Sequence, residues 1–377
     1  SGLINTKIIS IMVILFFILY KLIHIPIFIG AIKIWNIKIR GLYEITLGLT
    51  ISNLILTITP LILAVYTILK KTRNIQRTED RMTNIVMQIY NEEPKLLERA
   101  IQSVLKLDYS KEKIHLWLAF DDDKEPDAYK HIMKKWNIEN ELETIIEGIK
   151  VSILRLKHGG KKSAQRGAYE MIKRRYRKEE LNDSLLFFID SDIQLYNDCL
   201  LHFNNCMSET KKRILTGLIC CVKSENKSFL ECYQDIEYIS GQIFWRNLES
   251  YFGATSCLPG AFTIMEMECM ERVSERYFIE TNYNDSSEYH RFYLGEDRYL
   301  THLLMKEFPW MIGYCAKAKC KTNAPRKLKA LLKQRRRWYL GFLSNETWMI
   351  SSIKIWRNYP LLCLFNMLNN TRNTGVY

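Results

Sequence analysis

The chain has 377 residues, with 54 lysines and arginines against 41 aspartates and glutamates, giving a formal net charge of +13. That length suits one α/β domain of roughly 250 residues plus membrane segments. The charge is compatible with nucleic acid, a lipid surface or an anionic ligand, but no zinc-finger spacing, RNP-like strand or basic region running into heptads supports nucleic-acid binding. Ten cysteines include one adjacent pair, Cys220 and Cys221, and no CxxC, so no disulfide framework is indicated and a reducing, cytosolic setting is expected.

In chain order, the first apolar run, about residues 8–29, approaches the length of a membrane span, although Lys21, His24 and Pro26 interrupt it. The second, about residues 43–69, carries no formal charge beyond Glu44 and stops at Lys70, Lys71 and Arg73. The positive-inside rule then places the chain beyond Arg73 in the cytosol. No small-residue cleavage site follows the first run, so it does not read as a signal peptide. The expected organisation is a membrane region over 1–73, a cytosolic catalytic domain over 74–345, and over 346–377 an interfacial helix and the start of a further membrane region, YPLLCLFNMLNN. The missing initial Met and the abrupt end at Tyr377 read as a fragment. Sequons at Asn226, Asn284 and Asn345 are expected to be unmodified in a cytosolic chain.

Four apolar runs read as buried strands, each ending in polar residues: TNIVMQIYNEE from Thr83, IHLWLAF from Ile114, KVSILRL from Lys150 and SLLFFID from Ser184. An amphipathic helix, Pro94 to Leu105, follows the first. This alternation predicts an α/β fold with an open, mostly parallel sheet flanked by helices, its ligand site at the carboxyl ends of the strands. No GxGxxG or Walker loop is present, which disfavours a dehydrogenase or a P-loop ATPase.

The chemistry-bearing residues fall at those strand ends. Asp190 and Asp192, one residue apart after LLFFI, present hard oxygen ligands suited to Mg²⁺ or Mn²⁺ and hence to a diphosphate. A DxD triplet alone is common in loops, but two carboxylates closing a buried strand need a reason to be there. Asp121 to Asp123 follow the same logic: they cap a helix, or accept hydrogen bonds from a base or ribose. In HGGKKSAQRG, Lys161 and Lys162 are placed to offset phosphate charge, unless they simply form a solvated face. Glu296 and Asp297 complement a helix dipole in the bland reading, and in the sharper one Asp297 is a general base. Gln334, Arg335, Arg336, Arg337 and Trp338 combine an amide, cations and a flat apolar face, a set suited to a diphosphate and a sugar ring.

Taken in order, QIYNEE at Gln88, DSD at Asp190, CLPGAF at Cys257, GEDR at Gly295 and QRRRW at Gln334 resemble the motifs of chitin synthases, processive family-2 glycosyltransferases. The resemblance covers about Thr83 to Trp338 and implies a GT-A-like domain using UDP-N-acetylglucosamine and a divalent metal, Mg²⁺ or Mn²⁺. It implies that Tyr90, Glu92 and one of Asp121 and Asp122 line the uridine pocket, that Lys162 and Arg337 contact the diphosphate, and that Asp190 and Asp192 hold the metal. Asp297, beside Glu296, would be the base; Trp338, Gln334 and the loop Cys257, Leu258, Pro259 and Gly260 would border the acceptor terminus. The DDDK cluster departs from the family's usual serine-aspartate-glycine form, so the uracil-contacting aspartate stays open. The implied reaction is inverting transfer to the 4-hydroxyl of a growing β-1,4 chitin chain at the plasma membrane, with lipid, donor and polymer as partners, no nucleic acid, and a homo-oligomer left open. A hyaluronan- or cellulose-type synthase and a chitin-oligomer synthase are the neighbouring readings. A non-catalytic membrane protein with a basic lipid- or nucleic-acid-binding module is the remote one.

Overall fold

The computed structural model describes residues 78–139, 143–222, 228–279 and 285–374, with Ile58 and Ile62 as isolated positions. Both predicted N-terminal spans, and the sequons at Asn226 and Asn284, therefore lie outside the described residues. Among the described residues no helix is long and apolar enough to cross a membrane.

The four predicted strands form as β1 (Thr83–Ile89), β2 (Ile114–Asp121), β4 (Ile149–Leu156) and β5 (Leu185–Asp190). Five more join them: β3 (Thr144–Ile146), β6 (Gln194–Leu195), β7 (Ile214–Cys221), β8 (Phe262–Glu266) and β9 (Ile312–Thr322). All nine belong to one sheet in the order β3-β4-β2-β1-β5-β8-β7-β9-β6. The expectation of a mostly parallel sheet is corrected here. The contiguous β4-β2-β1-β5 half is parallel, as is β7 with β9, but β3, β6 and β8 run antiparallel to their neighbours, so the sheet is mixed. Antiparallel strands need no crossover helix, and β3 turns into β4 through only Glu147 and Gly148, both at positive φ (49° and 84°), as a tight primed hairpin requires.

Side-chain alternation along the strands divides the core between two faces. In β5, Leu185, Phe187 and Ile189 face one layer with the helices Pro94–Leu105, Asp127–Trp136 and Cys199–Thr210. Leu186 and Phe188 face the other, with Lys161–Arg175, Met267–Tyr277 and Glu296–Glu307. The apolar PLLCLF run packs on this second layer: Leu361, Leu362, Cys363 and Phe365 are buried, with Phe365 5.5 Å from Trp245 between ring centroids.

Strand direction decides where the site forms. In register, Ile89 pairs with Phe120 and Gln88 with Asp190, so β1, β2 and β5 all end on one edge. Because β8 runs against β5, the Cys257–Ala261 loop that precedes it meets the same edge, and β9, parallel to β7, brings Thr322 there.

Candidate active site

At this edge lies a cavity of about 1040 Å³. Its wall includes Asp190 and Asp192 from the end of β5, Lys161, and Cys257, Pro259 and Gly260 from the loop before β8. Glu296 and Asp297 come from the first turn of the Glu296–Glu307 helix, and Gln334, Arg337 and Trp338 from the Leu328–Ile350 helix. Residues spread over some 180 positions of sequence thus share one space.

Asp190 and Asp192 are held differently. Asp190 is ion-paired with Lys161 Nζ at 2.6 Å, whereas Asp192 accepts from the Thr322 hydroxyl at 2.8 Å. Burial, followed by the charge of Asp190, pushes the Asp192 carboxyl up to about 6. Lys161 also lies 3.9 Å from Glu296; burial would lower its pKa, but the charges of Asp190 and Glu296 outweigh that and raise it. Its path is open because residue 260 is glycine, since a Cβ there would stand 2.9 Å from Lys161 Nζ.

Asp297 Oδ1 accepts from the backbone N–H of Arg298 at 2.7 Å, and the Cys257 thiol donates to Asp297 Oδ2 at 3.4 Å. Two anions at a helix N-terminus are favoured by the aligned peptide dipoles. Even so, burial raises the Glu296 carboxyl against the lowering charge of Lys161, and the charge of Asp297 adds to the rise. The Leu328–Ile350 helix is seated against this turn by two glycines and an amide. Asn345 Nδ2 donates to the carbonyls of Arg291 (3.2 Å), Gly295 (3.1 Å) and Gly341 (3.0 Å). Two turns before Asn345, Arg337 and Trp338 reach the cavity, Trp338 lying under the Arg335 guanidinium at 4.5 Å and edge-on to Tyr238 at 6.3 Å.

The uridine-side candidates form a neighbouring group that does not line this cavity. Tyr90 is exposed and stacks on His158 at 4.6 Å. Glu92 accepts from the Ser191 hydroxyl at 2.6 Å, which ties QIYNEE to DSD. Asp121 is buried and fully engaged: it accepts from the backbone N–H groups of Gly159 (2.8 Å) and Gly160 (2.9 Å) and faces His158 Nδ1 at 3.1 Å. It therefore holds the HGG turn, and its oxygens have little capacity left for a base. Asp122 retains a buried Oδ2 with no hydrogen-bond partner, and burial raises its pKa.

Placement differs from expectation at one cation. The HGGKK segment turns helical at Lys161, after Gly160 at φ 84°. Successive helical residues point about 100° apart, so Lys161 enters the cavity while Lys162 reaches the Ile279 carbonyl at 3.3 Å and the rings of Tyr277 and Phe292, each at 5.9 Å. Leu258 is buried beneath the loop rather than facing the cavity. Sequence reasoning did not single out Arg246, Glu237, Tyr238 or Asn323, which also line the cavity. Arg246 is delivered by a π-helical turn, Gly241–Arg246, of the kind that often marks functional sites, and its sequence carries no periodic signal for it.

The solved mannosyltransferase from Pyrobaculum calidifontis, in complex with GDP-mannose and Mn²⁺, superposes with a TM-score of 0.53 at 15% identity over 85% of this chain and 82% of that one, which shows a GT-A-like fold. Chitin synthase 7 of Verticillium dahliae is 33% identical over 98% of this chain and 57% of its own length. Chitin synthase D of Aspergillus fumigatus is 36% identical over 85% of this chain and 46% of its own. The chain thus spans about half the length of these relatives. A family model described as chitin synthase matches residues 169–365, more than half of the sequence, and the chain belongs to the chitin synthase family.

Proposed function

We propose that this chain catalyses transfer of N-acetylglucosamine from UDP-N-acetylglucosamine to the 4-hydroxyl of a growing β-1,4 chitin chain, with inversion at the anomeric carbon. The observation that carries this reading is the single cavity bringing Asp190, Asp192, Lys161, Asp297, Arg337 and Trp338 together. In the reaction the acceptor oxygen forms a bond to C1, the bond from C1 to the β-phosphate oxygen breaks with its electron pair leaving on UDP, and the hydroxyl proton passes to a base. Asp297 is that base. Lys161 and Arg337 hold the departing diphosphate, and UDP so held needs no acid to protonate it. Trp338, Gln334 and the Cys257–Gly260 loop border the acceptor. Tyr90 and Asp122 receive the uridine, with Glu92 and Asp121 supporting their strand ends.

A divalent cation fits Asp190 and Asp192. Among the described residues no group of three or more His, Cys, Asp or Glu side chains is arranged as a complete metal site. Two carboxylates one residue apart at a strand end, Asp190 beside Lys161 and Asp192 beside Thr322, are nonetheless the donor set that Mg²⁺ takes when phosphate oxygens and water complete its shell. Bound there, it would neutralise charge on the leaving diphosphate.

The reading includes a membrane-anchored protein with this domain facing the cytosol. Phe229, Tyr233 and Ile236 on one helix, and Leu328, Leu332, Tyr339 and Leu343 on the Leu328–Ile350 helix, are exposed apolar residues. With the basic Lys327, Lys329 and Lys333 nearby in sequence, such faces suit a lipid surface. The deciding assay incubates membranes bearing the full-length protein with labelled UDP-N-acetylglucosamine, with and without a chelator. A metal-dependent polymer degraded by chitinase is expected; a chitinase-resistant product would favour another polysaccharide synthase.

A further inference from the structure

One buried hydroxyl joins the acceptor-side loop to the turn that carries Asp297. Thr301, on the second turn of the Glu296–Glu307 helix, is fully buried. Its Oγ1 accepts from the backbone N–H of Leu258 at 2.9 Å and donates to the carbonyl of Asp297 at 2.7 Å. Both functions of one hydroxyl are therefore spent between the Cys257–Gly260 loop and the residue proposed as base. The neighbouring contacts run the same way: Cys257 Sγ donates to Asp297 Oδ2 at 3.4 Å, and on the far side of the loop Ser256 gives its N–H and its hydroxyl to Glu249 at 2.8 and 2.7 Å. Leu258 is itself buried, so its N–H has no water to turn to if the hydroxyl is lost.

We infer that Thr301 is a positioning residue that fixes the acceptor-facing loop and Asp297 as one rigid unit, so that the base meets the acceptor hydroxyl rather than a water. The inference rests on the transferase reading above and deepens it. Transfer needs the acceptor oxygen, C1 and the Asp297 carboxylate in one arrangement, and a misplacement of about 1 Å can cost on the order of a hundredfold in rate. Hydrolysis asks less, because a water takes up whatever position the base offers. The two hydrogen bonds of the Thr301 hydroxyl go to Leu258 and Asp297, not to Lys161, Arg337 or the strand ends proposed to hold the donor.

The test uses the full-length protein in native membranes and measures two rates from UDP-N-acetylglucosamine, UDP released and sugar incorporated into polymer, together with UDP affinity. Thr301→Val keeps the shape and removes both hydrogen bonds; polymer formation should fall about 10- to 100-fold, uncoupled UDP release should rise as a share of turnover, and UDP affinity and donor KM should stay within about threefold of the parent. Thr301→Ser keeps both hydrogen bonds and should restore the coupling of UDP release to polymer. An unchanged ratio of polymer to UDP in Thr301→Val overturns the inference, as does a parallel loss of UDP affinity, which would mark a merely structural residue. Uncoupling in Thr301→Ser equal to that in Thr301→Val also overturns it. Failure of the parent protein to form polymer from this donor is a separate result, and it removes the transferase reading and this inference together.

Discussion

Gly295 and Gly341 touch backbone to backbone: a Cβ built on Gly341 would lie 2.8 Å from both the Cα and the N of Gly295. The contact sets how closely the helix bearing Arg337 and Trp338 approaches the turn bearing Asp297. Gly341→Ala should therefore lower stability by about 1–3 kcal/mol through overpacking and reduce polymer formation more than UDP affinity, as read by thermal unfolding alongside the two rates.

Replacing the proposed base separates chemistry from binding. Asp297→Asn should reduce transfer at least about 100-fold while changing UDP affinity by less than about threefold. Turnover equal to that of the parent would remove Asp297 from the mechanism. Asp192→Asn should behave in the opposite sense, weakening metal-dependent UDP binding.

The two adjacent lysines give a sharp contrast. Lys161 is paired with Asp190 inside the cavity, and Lys162 is turned towards Ile279, Tyr277 and Phe292. Lys161→Met should weaken UDP affinity about tenfold or more, whereas Lys162→Met should change it by less than about threefold. The reverse order would return the diphosphate contact to Lys162, as the family resemblance implies.

Two buried histidines predict sensitivity to acid. Burial depresses His115 and His302 from the usual 6.5 to about 3. A folded-state pKa below the unfolded value gives stability that is present above pH 6.5 and lost as pH falls towards 3. Stability should decline below pH 6, with each histidine contributing up to about 1.4 kcal/mol per pH unit. His302→Phe should flatten that slope in thermal unfolding between pH 7 and 5; an unchanged slope would place the acid sensitivity elsewhere.

Asn345 is fully buried and its amide nitrogen serves three carbonyls. A glycan there is incompatible with the fold, so mass spectrometry of the native protein should find Asn345 unmodified.

The parallel half of the sheet was legible in the sequence because each strand is a continuous apolar run, TNIVMQI or LLFFI, closed by polar residues, and burial on both faces leaves no other pattern. The rest of the sheet was not. In β7, ILTGLICC, and β9, IGYCAKAKCKT, glycine and lysine blur the run, and the antiparallel strands β3, β6 and β8 are short and have no crossover helix to announce them. At the site, DSD, GEDR and QRRRW stand out as clusters of charge after apolar sequence, and the fold gathers them. What distinguished Lys161 from Lys162 was the onset of a helix one residue after Gly160, a phase that a basic doublet does not encode. Arg246 depended on a π-helical turn, and Thr301 on two hydrogen bonds to backbone, neither of which leaves a mark in residue type.

In the proposed mechanism one nucleotide diphosphate sits among groups drawn from five separate segments. An experimental structure of the full-length protein with UDP-N-acetylglucosamine and Mn²⁺ tests this most directly. The diphosphate is expected between the Asp190–Asp192 pair and Arg337, with Lys161 within hydrogen-bond reach and the sugar facing Asp297 and Trp338. Nucleotide bound elsewhere, with Asp297 and Trp338 on the far side of protein from the sugar, would contradict the mechanism.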